Sequence, residues 1–381
     1  MAALSSHRRL ALAAGAGAIA LLILLIALVM SPARALLAYL AAYVTVATTA
    51  IGALVLLLIG YVTNARWLAP LRRLQESLAS VFPLLAVLFL PLAIGVRHLY
   101  VWATPSAPRH HAWFSPAGFI VRGFLYLAVF IITTEVLRRW SLRRDTVPGG
   151  VPDGDPEAAL RRERVFAAAM LPPVALATTF AAIDWVMSLE PTWVSSMFPV
   201  YAFAAGFSAS IAVLAIAAAV LRAPLGLTGN HFHALGRMVF AFVVFWAYTS
   251  YFQGFLIQIA NRPAEVTFFI VRTHGVWWIA LWTVALLRFA LPFLLLLPRG
   301  LKARPRYVAT VSALVVLGHV VEMMWLVLPS AGATPSWIDL IAFVGIGGAC
   351  VAFAIWRLNR APLTVAGDPF LAAGLRYESP T

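Results

Sequence analysis

The sequence predicts an all-α fold: a polytopic integral membrane helical bundle of about ten transmembrane helices, with both termini cytoplasmic. Three observations predict it. Of 381 residues, 62% are hydrophobic and 11% charged, and the mean hydropathy is +0.91, whereas soluble domains carry about 25% charged residues. Ten apolar runs reach the roughly 20 residues with which a helix crosses a hydrocarbon core of about 30 Å. Basic residues alternate between the two sides of those runs. Twenty-one Lys and Arg fall on the side of the termini, six (Arg34, Arg97, Arg109, Arg122, Arg262, Arg272) on the other, and Arg288 inside a span. This is the positive-inside pattern, and one span more or fewer would scramble it.

The first run, Leu10 to Met30, follows His7, Arg8 and Arg9. It exceeds the roughly 7 to 15 apolar residues of a signal peptide and lacks a clean A-x-A cleavage site, so it is expected to be a span. Ala35 to Val62, Val81 to Val101 and Gly118 to Val136 complete a first bundle of four spans over residues 1–137. Residues 138–164 form the one sizeable loop. It contains the breaker cluster P-G-G-V-P-D-G-D-P, then Asp155, Pro156 and Glu157, which suit the start of a helix. Its five acids against seven arginines read as a solvated cytoplasmic linker, not a lipid-binding patch.

A second bundle of six spans is expected over residues 165–357: Val165 to Met187, Met197 to Leu221, Leu235 to Ile259, Gly275 to Leu297, Tyr307 to Leu328 and Trp337 to Trp356. Pro172, Pro173 and Pro292 predict kinks inside their spans. Residues 358–381 are a cytoplasmic tail, and no soluble domain fits anywhere.

The net charge of +14 is spread over short inter-span segments, which suits topology and lipid headgroups and excludes a nucleic-acid stripe. A single cysteine, Cys350, without C-x-x-C or C-x-x-C-H, leaves no means of holding an iron–sulfur cluster or a covalent haem alone. His98 and His274 sit at outer span ends, His231 and His233 in a cytoplasmic segment, and His110 and His111 in an outer loop, so neither a bis-histidine haem nor a metal site is expected. ATPase, hydrolase and zinc-protease motifs are missing.

Candidate chemistry concentrates in four spans. Asp184, in A-A-I-D-W-V-M-S-L-E-P-T-W, lies about a turn from a span end, followed by Trp185, Glu190 and Trp193. It is either a carboxylate that has reached the interface beside an aromatic belt or an acid kept in the membrane for a purpose. His319 and Glu322, in G-H-V-V-E-M-M-W, share a helix face about 18 Å from the start of their span. They can form a proton relay or a mutual hydrogen bond that fixes packing. Arg288 is also deep and requires a partner; Glu322 is the expected one, and pairing would keep that acid ionised. In F-W-A-Y-T-S-Y-F-Q-G-F-L-I-Q-I-A-N, Tyr248, Gln253 and Asn261 belong to a polar outer half-span that calls for burial in the bundle, through interhelical hydrogen bonds or a half-channel leading to Asp184 or Glu322.

Together, D-W-V-M-S-L-E-P-T-W, F-W-A-Y-T-S-Y-F-Q-G-F-L-I with A-N-R-P-A-E, A-R-W-L-A-P-L-R-R-L-Q-E, F-P-L-L-A-V-L-F-L-P and H-V-V-E-M-M-W-L-V-L-P resemble the ActF membrane subunits of bacterial alternative complex III, a quinol:cytochrome c oxidoreductase, and more distantly the NrfD/PsrC family. The matching segments run from Arg66 to Pro329. The resemblance implies an integral subunit of the bacterial inner membrane with no redox cofactor of its own and quinone or quinol as a possible ligand. Its implied partners are a paralogous quinol-binding membrane subunit, a multihaem c-type cytochrome and iron–sulfur subunits. Asp184 and His319 fall on the family's polar positions, and Glu322 stands where Asp is expected. On this reading Asp184, His319, Glu322, Tyr248, Gln253 and Arg288 are candidates for a proton path, and Trp185, Glu190 and Trp193 for a quinone-facing surface. Asp184→Asn would then lower proton-coupled turnover without harming assembly. A secondary transporter of a small solute is the alternative that ten spans and buried charges also permit, and a membrane scaffold is the third.

Overall fold

In the computed structural model the backbone is described for residues 2–104, 113–146, 156–260 and 263–379, with side chains for 15–104, 113–146, 159–260 and 265–379. His110, His111, Asp155 and Asn261, most of the breaker cluster and the Glu157 side chain lie outside the described residues. The chain forms α1 (Ala2–Met30), α2 (Pro32–Val62), a 3₁₀ segment (Arg66–Leu71), α3 (Arg72–Ala79), α4 (Phe82–Leu88), α5 (Leu90–Ile94), α6 (Val96–Leu99), α7 (Pro116–Thr146) and α8 (Pro156–Trp185). There follow α9 (Phe198–Val220), α10 (Gly229–Ala260), α11 (Pro263–Arg272), α12 (Val276–Ala285), a π-helical turn (Leu286–Ala290), α13 (Leu291–Leu295), α14 (Arg299–Lys302), α15 (Pro305–Val327), α16 (Trp337–Asn359) and α17 (Leu371–Leu375). Among the described residues nine helical stretches are long and apolar enough to cross a membrane, and Gly15–Met30 of α1 adds a shorter apolar helix. The result is an all-α polytopic bundle.

The two groups of spans share one continuous apolar core instead of forming separate bundles. Its axis is α2, which packs against α8, α9, α15 and α16, while α1 lies along α16 and joins the two ends of the chain. Pro32 opens α2 at a position where a missing N–H costs nothing. Its central threonines turn back on their own helix: Thr45 donates to the Ala41 carbonyl at 2.8 Å, Thr48 to Val44 at 2.7 Å and Thr49 to Thr45 at 2.8 Å. Gly52 and Gly206 let α2 and α9 touch backbone to backbone. A methyl on Gly206 would sit 2.4 Å from the Thr48 carbonyl oxygen, and one on Gly52 2.8 Å from that of Gly206.

The third span begins earlier than expected and is not one rod. It starts at Arg66 and breaks into α3 to α6, because Pro83 and Pro91 each withhold a backbone N–H. Pro172 and Pro173, in contrast, lie within an unbroken α8.

The solvated linker is corrected as well. Helix α7 continues to Thr146 and α8 begins at Pro156, so much of 138–164 is helical. Arg138, Arg144 and Glu163 are buried, with Arg144 and Glu163 paired at 2.7 Å. Other ion pairs knit this end of the bundle: Arg73 with Glu76 at 2.5 Å and with Asp145, Arg72 with Asp368, and Arg357 with Glu135. The C-terminal segment belongs to the same structure. Helix α17 packs on Arg66–Leu71, the Gly367 N–H donates to Asp145 at 3.1 Å, and the Gly374 carbonyl oxygen lies 3.0 Å from the His231 ring. This is the basic end. At the opposite end Arg34 forks onto Asp339 at 2.8 and 2.6 Å, tying the start of α2 to the start of α16.

Candidate functional site

The deepest polar cluster forms where α9, α10, α15 and the π-helical turn meet. Pro292, near the start of α13, has no N–H and its ring would strike the carbonyl of residue 288 in a regular α-helix. The wide turn over Leu286–Ala290 falls on that carbonyl, and it carries Arg288 into the interior, where it is 1% exposed. Gly318 on α15 makes room for the side chain, since a Cβ there would lie 2.6 Å from Arg288 Cγ. Arg288 Nη2 donates to the Ala205 carbonyl at 3.1 Å and to Ser208 Oγ at 2.9 Å, and its guanidinium lies 4.8 Å over the Trp246 ring.

Glu322 answers that charge. Its Oε2 lies 3.3 Å from Arg288 Nε and 3.3 Å from His319 Nδ1. Its Oε1 accepts from Trp246 Nε1 at 2.7 Å and from the Tyr201 hydroxyl. Unit charges 3.3 Å apart attract by about 5 kcal/mol at an effective dielectric of about 20, which favours a carboxylate held ionised. The Arg288–Glu322 partnership expected from depth alone is present.

His319 connects this pair to α2, with Nε2 3.1 Å from Thr48 Oγ1. Thr48 has one hydroxyl proton and three acceptors within reach, the Val44 and Thr45 carbonyls of its own helix and His319 Nε2. When Thr48 donates to Nε2, the imidazole is neutral and gives its Nδ1–H to Glu322. When Thr48 turns to Val44, Nε2–H donates to Thr48 and Nδ1–H to Glu322, and the ring is an imidazolium. The two arrangements differ by one proton and by rotation of one hydroxyl. Thr48 also lines a narrow apolar cleft, with about 20 Å³ of open space, between α2, α8, α9 and α15, with Ala181, Trp185, Phe198, Ala202 and Met323 among its walls. The Trp185 indole N–H is buried and has no hydrogen-bond partner.

The other candidates are distributed differently. Asp184 is 1% exposed and sealed in a clamp between α7 and α8. Arg122 Nε donates to Oδ2 at 2.8 Å and Nη2 to Oδ1 at 3.1 Å, Trp113 Nε1 to Oδ1 at 2.8 Å and the Tyr126 hydroxyl to Oδ2 at 2.8 Å. Glu190 is bound to Arg272 at 2.7 Å and to the Ser330 hydroxyl at 2.8 Å, and Trp193 stacks on Phe268 with centroids 3.8 Å apart. Of the three quinone-facing candidates, Trp185 alone lines the cleft beside Thr48; Trp193 walls a separate pocket with Trp113 and Met187. Tyr248 is 53% exposed and stacks on Phe252 on the outside of α10, so it is removed from the proton path. Helical periodicity explains it: Trp246, Thr249 and Gln253 form the buried stripe, and Tyr248, Tyr251 and Phe255 the outer one. Gln253 is buried with Oε1 unpartnered.

Four residues of these clusters escaped sequence reasoning. Thr48, Tyr201 and Trp246 complete the Glu322 cluster. Arg272, counted as an outer-side cation, is 0% exposed, reaches Leu326 O at 2.8 Å and lies 3.5 Å over the Phe268 ring. The T-V-A-T-T run in an otherwise apolar span was the available signal for Thr48.

Fold and site define a class: a polytopic helical membrane protein with a charge-neutralised Arg–Glu pair and a histidine buried mid-span beside an apolar cleft. No protein-family profile matches the chain, and no curated protein matches it. Among the described residues no three His, Cys, Asp or Glu side chains converge as a metal-ligand set.

Proposed function

We propose that this chain is an integral subunit of a respiratory quinol:cytochrome c oxidoreductase in the bacterial inner membrane, supplying a quinone-facing cleft and a proton-exchanging histidine. The observation that carries the reading is the unbroken sequence from cleft wall to buried ion pair: Thr48, His319, Glu322, Arg288. A flat headgroup entering between these apolar walls must push them apart, because the cleft holds about 20 Å³ of open space, room for about one water molecule. Thr48 and the Trp185 N–H are the polar groups that orient a carbonyl or hydroxyl there.

Oxidation of a quinol releases protons and electrons together. A proton given up beside Thr48 passes to His319 by rotation of the hydroxyl. Glu322, kept ionised by Arg288, orients the ring through Nδ1 and stabilises the imidazolium. The carboxylate is therefore a positioning group and His319 the proton carrier. Electrons leave through redox centres of the paralogous quinol-binding, multihaem cytochrome c and iron–sulfur partners. The positive-inside distribution makes the basic end cytoplasmic.

Mild-detergent purification of the tagged chain, with haem and iron spectra of whatever accompanies it, tests the reading. Co-purifying multihaem and iron–sulfur proteins whose mixture oxidises quinol, with activity lost in His319→Gln, support it. A colourless chain isolated alone at full yield overturns it in favour of a transporter.

A further inference from the structure

Helix α10 carries a stripe that its own bundle leaves open. Ala241, Val244, Tyr248, Tyr251, Phe255 and Gln258 follow one another at alternating steps of three and four residues, and all of them are exposed. That spacing is the a/d seam of a helix pair, which keeps one face on a partner over several turns. The outward face of α7 is aliphatic, at Val121, Leu125 and Ile132, as suits contact with lipid tails. The α10 stripe is polar in part, and Tyr248 and Tyr251 are the only exposed tyrosines among the described residues.

Depth makes those hydroxyls unusual. Tyr248 stands 11 residues after Arg237 and 12 before Ala260, about 16 to 18 Å from either, which is the middle of a hydrocarbon layer about 30 Å thick. A phenol does not reach the headgroups from there. Among the described residues neither tyrosine hydroxyl has a hydrogen-bond partner, nor does the Gln258 carboxamide. Hydrocarbon leaves such groups unsatisfied at a cost, so the stripe is completed from outside the chain. Its rings are already set for contact, since Tyr248 stacks on Phe252 at 5.4 Å and Tyr251 on Phe255 at 5.6 Å, which leaves little side-chain freedom to lose on docking. Gly254, beside Tyr251 and Gln258, has nothing within 4 Å of an added Cβ, which leaves room for a second backbone.

The chemistry of the stripe selects its occupant. A phenol and a carboxamide each donate and accept, so a second copy of the stripe supplies what the first lacks, and no charged side chain stands in it to repel the copy. Two chains inserted in the same sense bring such stripes together about a two-fold axis along the membrane normal, each residue near its own counterpart.

We propose that two copies of this chain pair through the outer face of α10, with the Tyr248 and Tyr251 hydroxyls and the Gln258 carboxamides bonded across the two-fold axis. Oxidative cross-linking of the full chain in membranes tests it. Val244→Cys and Phe255→Cys are each expected to give a disulfide-linked band of twice the chain mass. The wild type, whose Cys350 is buried, and Val121→Cys on α7 should give none. Tyr248→Phe with Tyr251→Phe keeps the aromatic surface and removes both hydroxyls, and it should weaken pairing about tenfold when the chain is diluted with lipid. Absence of the doubled band, equal linking in either control, or undiminished pairing of the phenylalanine variant would each overturn the proposal. A linked band of another mass in place of the doubled one would give the face to a different protein and overturn it as well.

Discussion

The Arg122 guanidinium holds both oxygens of Asp184, at 2.8 and 3.1 Å, from a helix 62 residues earlier in the chain. With Trp113 and Tyr126 adding two further donors, the carboxylate has its acceptor positions filled. Such a group is a clamp between α7 and α8, poorly suited to receiving a travelling proton.

Asp184→Asn is therefore expected to lower stability by about 3 kcal/mol, because Arg122 is left without its counter-charge. Thermal unfolding of the purified chain measures this. Proton-coupled turnover of whatever complex still assembles should be unchanged, the reverse of what the position of the acid in the sequence suggested.

Glu322→Gln should cost about 3 to 5 kcal/mol, since Arg288 would remain buried and uncompensated. Replacing both, as Arg288→Met with Glu322→Met, should recover much of that loss while leaving His319 without its orienting carboxylate. Unfolding curves of the two variants, compared with quinol oxidation rates, separate stability from proton transfer. A paired variant as unstable as the single one would show that the ion pair is not what makes Glu322 necessary.

Gly318→Ala should destabilise by about 1 to 3 kcal/mol. Its methyl would press on Arg288 Cγ at 2.6 Å and Leu287 Cβ at 3.0 Å, neither of them a free side-chain end. Gly347→Ala, with nothing within 4 Å of the added atom, should instead be neutral or stabilising by about 0.5 to 1 kcal/mol through helix propensity. Melting temperatures of the two alanine variants measure the contrast.

Asp368→Ala should loosen the basic end, because Asp368 is the ion-pair partner of buried Arg72. Limited proteolysis should then remove the segment after Arg360 while the spans remain protected. An unchanged digestion pattern would mean that α17 and Tyr377 hold the segment without the ion pair.

Hydropathy and charge alternation made nearly the whole helical architecture legible, since a hydrocarbon solvent leaves few alternatives to a long apolar helix. The pairing of Arg288 with Glu322 was legible for a related reason: a buried cation at that depth needs an anion, and few are within reach. The burial of Arg144, Glu163 and Arg272 was not. Whether a charge near a span end meets water or protein depends on which helices flank it, and that is a property of packing. Tyr248 failed for want of a reference: a polar half-span shows that one face must be buried, and only the neighbours of α10 fix which.

Helix α2 is second in chain order, yet 78% of its apolar window is covered by protein, mostly by α8, α9, α15 and α16, which are made much later. During biosynthesis it must therefore wait in lipid as a nearly bare rod. The back-bonding of Thr45, Thr48 and Thr49 to carbonyls one turn earlier makes that wait tolerable, since no threonine hydroxyl on the rod depends on a helix still to be translated; only the Tyr39 and Tyr43 hydroxyls wait, for the Leu88 and Leu85 carbonyls of α4. The same economy lets Thr48 release its local bond and engage His319 only once α15 has arrived, so the polar contact doubles as a sign that insertion is complete.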